Sequence, residues 1–169
     1  MKSVIITGAT RGIGLALARF YADKGYCLML NGGHNEEALD AVEKELSTKT
    51  QVITCLGSVA EEKTAATIVQ KTLDTFGQID LLINNAGIAH IGLLSDMSSE
   101  EWHTLMGTNL DSVFYMSKAV IPHMVHCHSG KILWTDHQHF FHVGNCRCFL
   151  RSCLFCLKRC RQFSYKGSG

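Results

Sequence analysis

What this sequence has little of narrows its class before any motif is considered. No apolar run approaches the ~20 residues that a membrane-spanning helix needs. The opening Met1-Lys2-Ser3-Val4-Ile5-Ile6-Thr7-Gly8 has too short an apolar stretch for a signal peptide, so a cytoplasmic protein is expected. An excess of one charge is lacking too. Sixteen Lys and Arg stand against fifteen Asp and Glu, a net charge of +1, so nothing global attracts nucleic acid or an anionic membrane. Any partner has to be argued from a site. Proline occurs once, as Pro122. Cysteine is not scarce, with eight residues, but Cys27 and Cys55 fall in predicted strands, where a free thiol packs as a small apolar group. The other six crowd between Cys127 and Cys160. The 169 residues suffice for one domain with a core.

From Lys2 to about Thr135, short apolar runs alternate with amphipathic stretches, which is the pattern of βαβ units around a parallel sheet covered on both faces. Strands are expected near Ser3–Ile6, Cys27–Asn31, Gln51–Cys55, Leu81–Asn84 and Lys131–Trp134. Helices are expected from about Gly12 to Lys24, Glu36 to Leu46, Ala60 to Phe76 and Leu110 to Val125. Gly25 and Gly77 act as stop signals. Ser98-Ser99-Glu100-Glu101 offers a serine cap with acids in the first turn of a further helix. The fold class is therefore α/β, a doubly wound parallel sheet of about five strands over residues 1–135. A Cys, His and Arg-rich tail, 136–169, follows after an abrupt change in composition.

Three motifs carry the chemistry. Thr7-Gly8-Ala9-Thr10-Arg11-Gly12-Ile13-Gly14 directly follows the first strand. A strand ending in such a turn before a helix brings backbone N–H groups and the helix dipole onto a pyrophosphate. Gly8 permits the tight turn, Gly12 lets a phosphate approach the backbone, and Gly14 lets the helix pack against the strand. On its own, a glycine-rich βα turn with no ligand would look the same. The second motif is Asn84-Asn85-Ala86-Gly87 at the end of the fourth strand, and the third is Asn109, a polar residue within an apolar helical pattern, which can also be a helix-interior amide bonding locally.

Together these motifs resemble the short-chain dehydrogenase/reductase family, over about Lys2 to Lys131 and in the expected order. Within it the chain looks most like the branch that reduces 3-oxoacyl-carrier-protein substrates with NADPH. The resemblance implies a Rossmann domain whose cofactor is held by Gly8, Thr10, Arg11, Gly12, Ile13 and Gly14, by Asn31, and by Asn85, Ala86 and Gly87. It gives Asn109 a supporting part in catalysis and includes no metal site. It also implies a small carbonyl or alcohol substrate and a homo-oligomer, although loss of the family's C-terminal elements argues against oligomerisation here. An acid at the end of the second strand would favour NAD. Here Asn31-Gly32-Gly33-His34 has none, and Arg11 can meet a 2′-phosphate, which favours NADP over NAD; a solvated turn arginine is the competing account. Relatives carry an Asp-Val pair beside the adenine where this chain has Ser58-Val59, which weakens the expected grip on the base.

Family chemistry also needs a tyrosine to protonate the carbonyl, a lysine four residues later, and a serine. Tyr21, Tyr26, Tyr115 and Tyr165 are followed four places on by Gly25, Leu30, Ala119 and Gly169, so no Tyr-x-x-x-Lys exists. The serine expected after the fifth strand is replaced by Thr135-Asp136-His137. Written as degenerate codons and read one base later, the slots of Trp134 to Gly144 permit Gly-Arg-Ile-Ile-Asn-Ile-Ser-Ser-Met-Trp-Gly. The slots of Leu154 to Lys158 permit Tyr-Ser-Ala-Ser-Lys. A frameshift, in the gene or its sequencing, accounts for the tail better than evolution of a new one, and the expectation is an oxidoreductase by descent, truncated and without turnover.

Two rival readings of the tail remain. Cys146, Cys148, Cys153, Cys156 and Cys160 with His137, His139 and His142 can supply zinc ligands, although Cys153-x-x-Cys156 is the only familiar spacing. That would make the chain a non-catalytic nucleotide-binding protein with a metal-binding tail. Arg147, Arg151, Lys158, Arg159 and Arg161 form a basic cluster with interleaved Phe, a pattern seen at nucleic-acid surfaces but also an accident of shifted codons. Without the family's last strands an exposed sheet edge invites aggregation, unless the tail packs as a substitute helix from about Cys146 to Arg161.

Overall fold

The computed structural model describes residues 1–127, 132–134, 140–143 and 146–150. Its elements in chain order are β1 (Ser3–Ile6), α1 (Gly12–Asp23), β2 (Cys27–Gly32), α2 (Glu36–Leu46), β3 (Val52–Leu56), α3 (Glu62–Phe76) and β4 (Leu81–Asn84). There follow a 3₁₀ turn (Leu94–Asp96), α4 (Ser99–Met106), a π-helical turn (Gly107–Asp111), α5 (Ser112–Cys127), β5 (Ile132–Trp134), β6 (Phe140–Val143) and β7 (Cys146–Leu150).

The sheet order is β3-β2-β1-β4-β7-β6-β5. Strands β1 to β4 pair in parallel, with Ser3 opposite Cys27 and Val4 opposite Leu81. The chain winds outwards from β1 to β3, then crosses to the other side of β1 for β4. That reversal opens a crevice beyond the carboxyl ends of β1 and β4, where α/β sheets place their ligands.

The period-two alternation of strand side chains explains why these strands read as unbroken apolar runs. Val4 and Ile6 on β1 join Leu28, Leu30, Leu81 and Ile83 under α1 and α2, with Ala18, Ala22, Leu39, Val42 and Leu46 as the helical half of that core. Ile5, Met29 and Leu82 point the other way, into Ile68, Val69, Met116, Val120 and Met124 of α3 and α5. Both faces are thus buried by helices. No helix among the described residues is long and apolar enough to cross a membrane.

Helix ends follow local chemistry. Asn35 caps α2 by accepting from the Ala38 N–H at 2.8 Å, ahead of Glu36 and Glu37. Ser98 and Glu101 form a reciprocal capping box on α4, and Gly77, at φ 75°, closes α3 in the left-handed conformation that favours glycine. Exposed ion pairs, Arg19–Glu45 and Lys49–Asp23, join α1 to the end of α2 and the turn after it. Lys118–Glu62 joins α5 to α3.

Two differences from the sequence expectation concern the second half of the chain. The helix expected from Leu110 is continuous with α4 through the π-helical turn, because the polar Asn109 finds tertiary partners that hold the widened turn in place. Cys146–Leu150, where the substitute helix would begin, is instead a strand pairing in parallel with β4, with Leu81 opposite Arg147 and Asn84 opposite Leu150. The unpaired edge of β4 is a template for any extended segment. Strands β6 and β5 extend the sheet from there as antiparallel partners. The remainder of the expected helix, 151–161, lies outside the described residues.

Candidate functional site

The crevice at the carboxyl ends of the strands is a cavity of about 540 Å³. One wall is the β1–α1 turn: Gly8, Thr10, Arg11, Gly12 and Ile13. Asn31, Gly33 and His34 come from the end of β2, Ser58 and Val59 from beyond β3, and Asn85, Ala86, Gly87 and Ile88 from the turn after β4. Thr104 of α4 and Thr108 of the π-helical turn close the far side.

The glycines have separate physical jobs. Gly8 sits at φ 63°, and a Cβ there would stand 2.9 Å from the Ala86 Cα. Gly12, at φ 57°, has nothing within 4 Å of where a Cβ would project, so its face opens on the cavity. Gly14 does not line the cavity; a Cβ there would lie 2.1 Å from the Gly8 carbonyl oxygen. Gly14 is what allows α1 to start so close to the turn.

Thr7 locks the two turns together, a role its sequence position did not disclose. Its Oγ1 accepts from the backbone N–H groups of Asn85 and Ala86, both at 3.0 Å. In return the Asn85 side-chain amide donates to the Thr7 and Gly8 carbonyls, both at 3.0 Å. A buried threonine at the end of an apolar strand was the available signal. Asn31, almost fully buried, donates its amide to the Cys55 and Gly57 carbonyls at 3.0 Å each. Its donors hold the ends of β2 and β3 together, so it supplies wall rather than a free hydrogen bond.

Asn109 stands apart from the cavity lining. Its Oδ1 accepts from the Ile88 N–H at 2.9 Å and its Nδ2 donates to the Ile88 carbonyl at 2.8 Å. The side chain thereby reads both backbone groups of one residue and fixes the course of the loop after β4. Ser58 Oγ accepts from the Ala60 N–H at 3.3 Å. The wall contributed by Ile88, Thr104 and Thr108 was not legible in sequence, because α4 meets this crevice only through tertiary packing.

Electrostatically the site is one-sided. Among the described residues no carboxylate lines the cavity, and the ionisable side chains on its wall are those of Arg11 and His34. The start of α1 faces it without a side-chain cap and without an acid in its first turn, whereas α2 and α4 have both. An uncapped helix start leaves backbone donors and a partial positive charge for an external anion. At α4 the capping box uses that same helix-start chemistry internally: hydrogen bonds from Ser98 hold the Glu101 carboxyl below its ordinary range. Away from the site, burial pushes the Cys55 thiol up, which leaves it inert packing.

A smaller, open hollow of about 250 Å³ lies beside Leu94, Met97 and Trp102. Among the described residues no three His, Cys, Asp or Glu groups come together as metal ligands. The tail side chains on which the zinc and nucleic-acid readings rest, and the slots in which a serine, tyrosine and lysine were recovered, lie outside the residues whose side chains are described.

Known proteins with this arrangement are numerous. A family model described as short chain dehydrogenase matches residues 2–137. The 3-oxoacyl-[acyl-carrier-protein] reductase of Chlamydia muridarum is 40% identical over 134 residues, covering 78% of this chain and 54% of that protein. The Haemophilus influenzae enzyme of the same name is 35% identical over 132 residues, 78% of this chain and 53% of its own length. The chain thus spans about half the length of the curated relatives it matches. Among solved structures, an alcohol dehydrogenase from Thermococcus sibiricus complexed with 5-hydroxy-NADP superposes with a TM-score of 0.71 at 32% identity, over 75% of this chain and 54% of that one. A metagenomic short-chain oxidoreductase in complex with NADP gives 0.70 at 30% identity, over 75% and 57%.

Proposed function

The chain belongs to the short-chain dehydrogenase family, and from that premise we propose that it binds NADP(H) in the crevice beyond β1 and β4 without itself reducing a carbonyl. The observation that carries the reading is the wall of the cavity: an uncapped helix start, the side chains of Arg11 and His34 and, among the described residues, no carboxylate. Such a wall suits a ligand with several phosphates and repels none of them. The NADP-bound relatives support the same choice.

In this reading the backbone of Gly12 and Ile13 faces the pyrophosphate, Arg11 faces a 2′-phosphate, and Ala86 and Gly87 form the floor for the remaining sugar and ring. When bound, the nicotinamide supplies a hydride to, or takes one from, a carbon bearing oxygen. This chain's own residues bind and orient, but the step also needs a proton at the carbonyl oxygen. No Tyr-x-x-x-Lys is present to deliver it, and general acid catalysis of that kind contributes about 10²–10⁴ in rate. The side chain of Asn109 is committed to Ile88 and so shapes the loop beside the reaction rather than replacing the missing acid.

Titrating the purified protein with NADPH and following nicotinamide fluorescence tests the reading. Saturable binding at one site is expected, with no oxidation of NADPH when 3-oxoacyl thioesters or simple ketones are added. Absence of binding overturns the cofactor assignment, and measurable turnover overturns the non-catalytic one. Zinc bound in a one-to-one ratio to folded protein would favour the metal-binding tail instead.

A further inference from the structure

The loop after β4 and the helix that follows it leave large apolar side chains in solvent. Ile91 is 97% exposed, Leu94 78% and Leu93 69%, and Trp102 on α4 is partly exposed. Leu94, Met97 and Trp102 line the open hollow of about 250 Å³. Single apolar side chains on a surface need no explanation, but a group gathered around a hollow marks an interaction site. Its rim carries charge of one sign. Asp96, Glu100 and Glu101 are exposed, and no Lys or Arg occurs from Ile88 to Thr108.

The register of β7 decides what can reach this face. It runs parallel to β4 with Leu150 opposite Asn84, so the chain leaves both strands at the same end of the sheet, about 4.8 Å apart. Leu94 lies ten residues past Asn84, at most about 35 Å away, and residues 151–169 span about 60 Å when extended. Those residues include Arg151, Lys158, Arg159, Arg161 and Lys166 and no acid, with Leu154, Phe155 and Leu157 among them. We propose that the segment after β7 docks on the loop after β4 and on α4 of its own chain. Side chains from Leu154 to Leu157 fill the hollow beside Trp102, and the basic residues that follow lie over Asp96 and Glu100. Opposite charge selects this face and orients the segment on it. Attachment through β7 keeps the segment at high effective concentration, so docking within one chain outcompetes a second copy. The match holds whatever the origin of the segment.

Limited trypsin digestion of the full chain tests this, because the segment carries its own cleavage sites. Cleavage after Lys158, Arg159 and Arg161 tracks the fraction of time the segment spends undocked. Leu93→Ser with Leu94→Ser should speed it about tenfold by removing apolar contact. Asp96→Asn with Glu100→Gln should speed it about threefold, a difference that disappears in 1 M salt. The four positions are exposed, and a thermal melt identifies any variant that unfolds. Leu154→Ser with Phe155→Ser changes the segment alone and should match the leucine pair. Equal cleavage rates in the wild type and all folded variants overturn the proposal. Protection that grows with protein concentration identifies a second copy as the occupant and overturns docking within one chain.

Discussion

Replacing Gly14 by alanine separates what that glycine does for the fold from what its neighbour Gly12 does for a ligand. The added Cβ would stand 2.1 Å from the Gly8 carbonyl oxygen and 2.5 Å from the Asn85 amide nitrogen. The closest ordinary carbon–oxygen contacts are about 3.3 Å, so α1 must retreat by roughly an ångström or Asn85 must swing away. Overpacking of this kind costs about 1–3 kcal/mol. Losing the two Asn85 hydrogen bonds to Thr7 and Gly8 adds about 1 kcal/mol each, while the better helix propensity of alanine returns about 1 kcal/mol. The expected net loss is roughly 2–4 kcal/mol, a large share of the 5–15 kcal/mol that holds a typical domain. Urea unfolding followed by far-ultraviolet circular dichroism should register it as a midpoint lowered by about 1–2 M. Gly12→Ala has open space for its methyl and loses only about 1 kcal/mol to its left-handed backbone, yet the methyl occupies the ground a pyrophosphate needs. Its midpoint should move little and its NADPH affinity greatly. A Gly14→Ala protein within about 0.5 kcal/mol of wild type would refute the claim that helix and turn meet there.

Four further outcomes are expected. Asn109→Ala removes both hydrogen bonds to Ile88 and should cost about 1–3 kcal/mol, with faster amide exchange in the segment after β4; unchanged exchange there would show that the clamp is not needed. Ser98→Ala should lower the melting temperature by a few degrees through loss of the α4 cap. Because hydrogen bonds from Ser98 lower the Glu101 pKa on folding, the stability they confer is present above the unfolded carboxylate range and lost as pH falls through the folded value. Glu101→Gln should therefore flatten the acid limb of a melting-temperature profile, and an identical limb in both proteins would contradict the assignment. Finally, if resequencing across the codons for Ser129 to Asp136 finds a one-base slip, its correction is expected to yield an active ketone reductase, and a corrected protein that reduces no ketone would count heavily against the frameshift.

The first half of the fold was legible because its signals are local. Apolar runs such as Val4-Ile5-Ile6 and Leu28-Met29-Leu30, with Gly25 and Gly77 as stops, mark strands and helices without reference to anything distant. The glycine-rich turn and Asn84 to Gly87 likewise announce a crevice through backbone requirements. What escaped depends on partners far along the chain. Asn109 was conspicuous as a polar residue in an apolar pattern, but its partner Ile88 lies 21 residues away and the resulting π-helical turn has no local code. Thr7 read as the first residue of the glycine-rich turn, and its two N–H partners are supplied by another turn. The placement of β7 beside β4 is a long-range pairing that neither segment's pattern specifies.

The bonds from Thr7 to Asn85 and Ala86 span 78 and 79 residues of sequence, and they set an order of events. The floor of the crevice cannot exist in a growing chain until β4 and the turn behind it have been made and seated next to β1. At about 5–20 residues per second, synthesis runs for several seconds with the glycine-rich turn finished and its counterpart still missing. The crevice is therefore completed only when the turn after β4 arrives. Any ligand that then fills it spans both ends of that long loop, and so binds the first strand to the fourth as much as it binds the protein to itself.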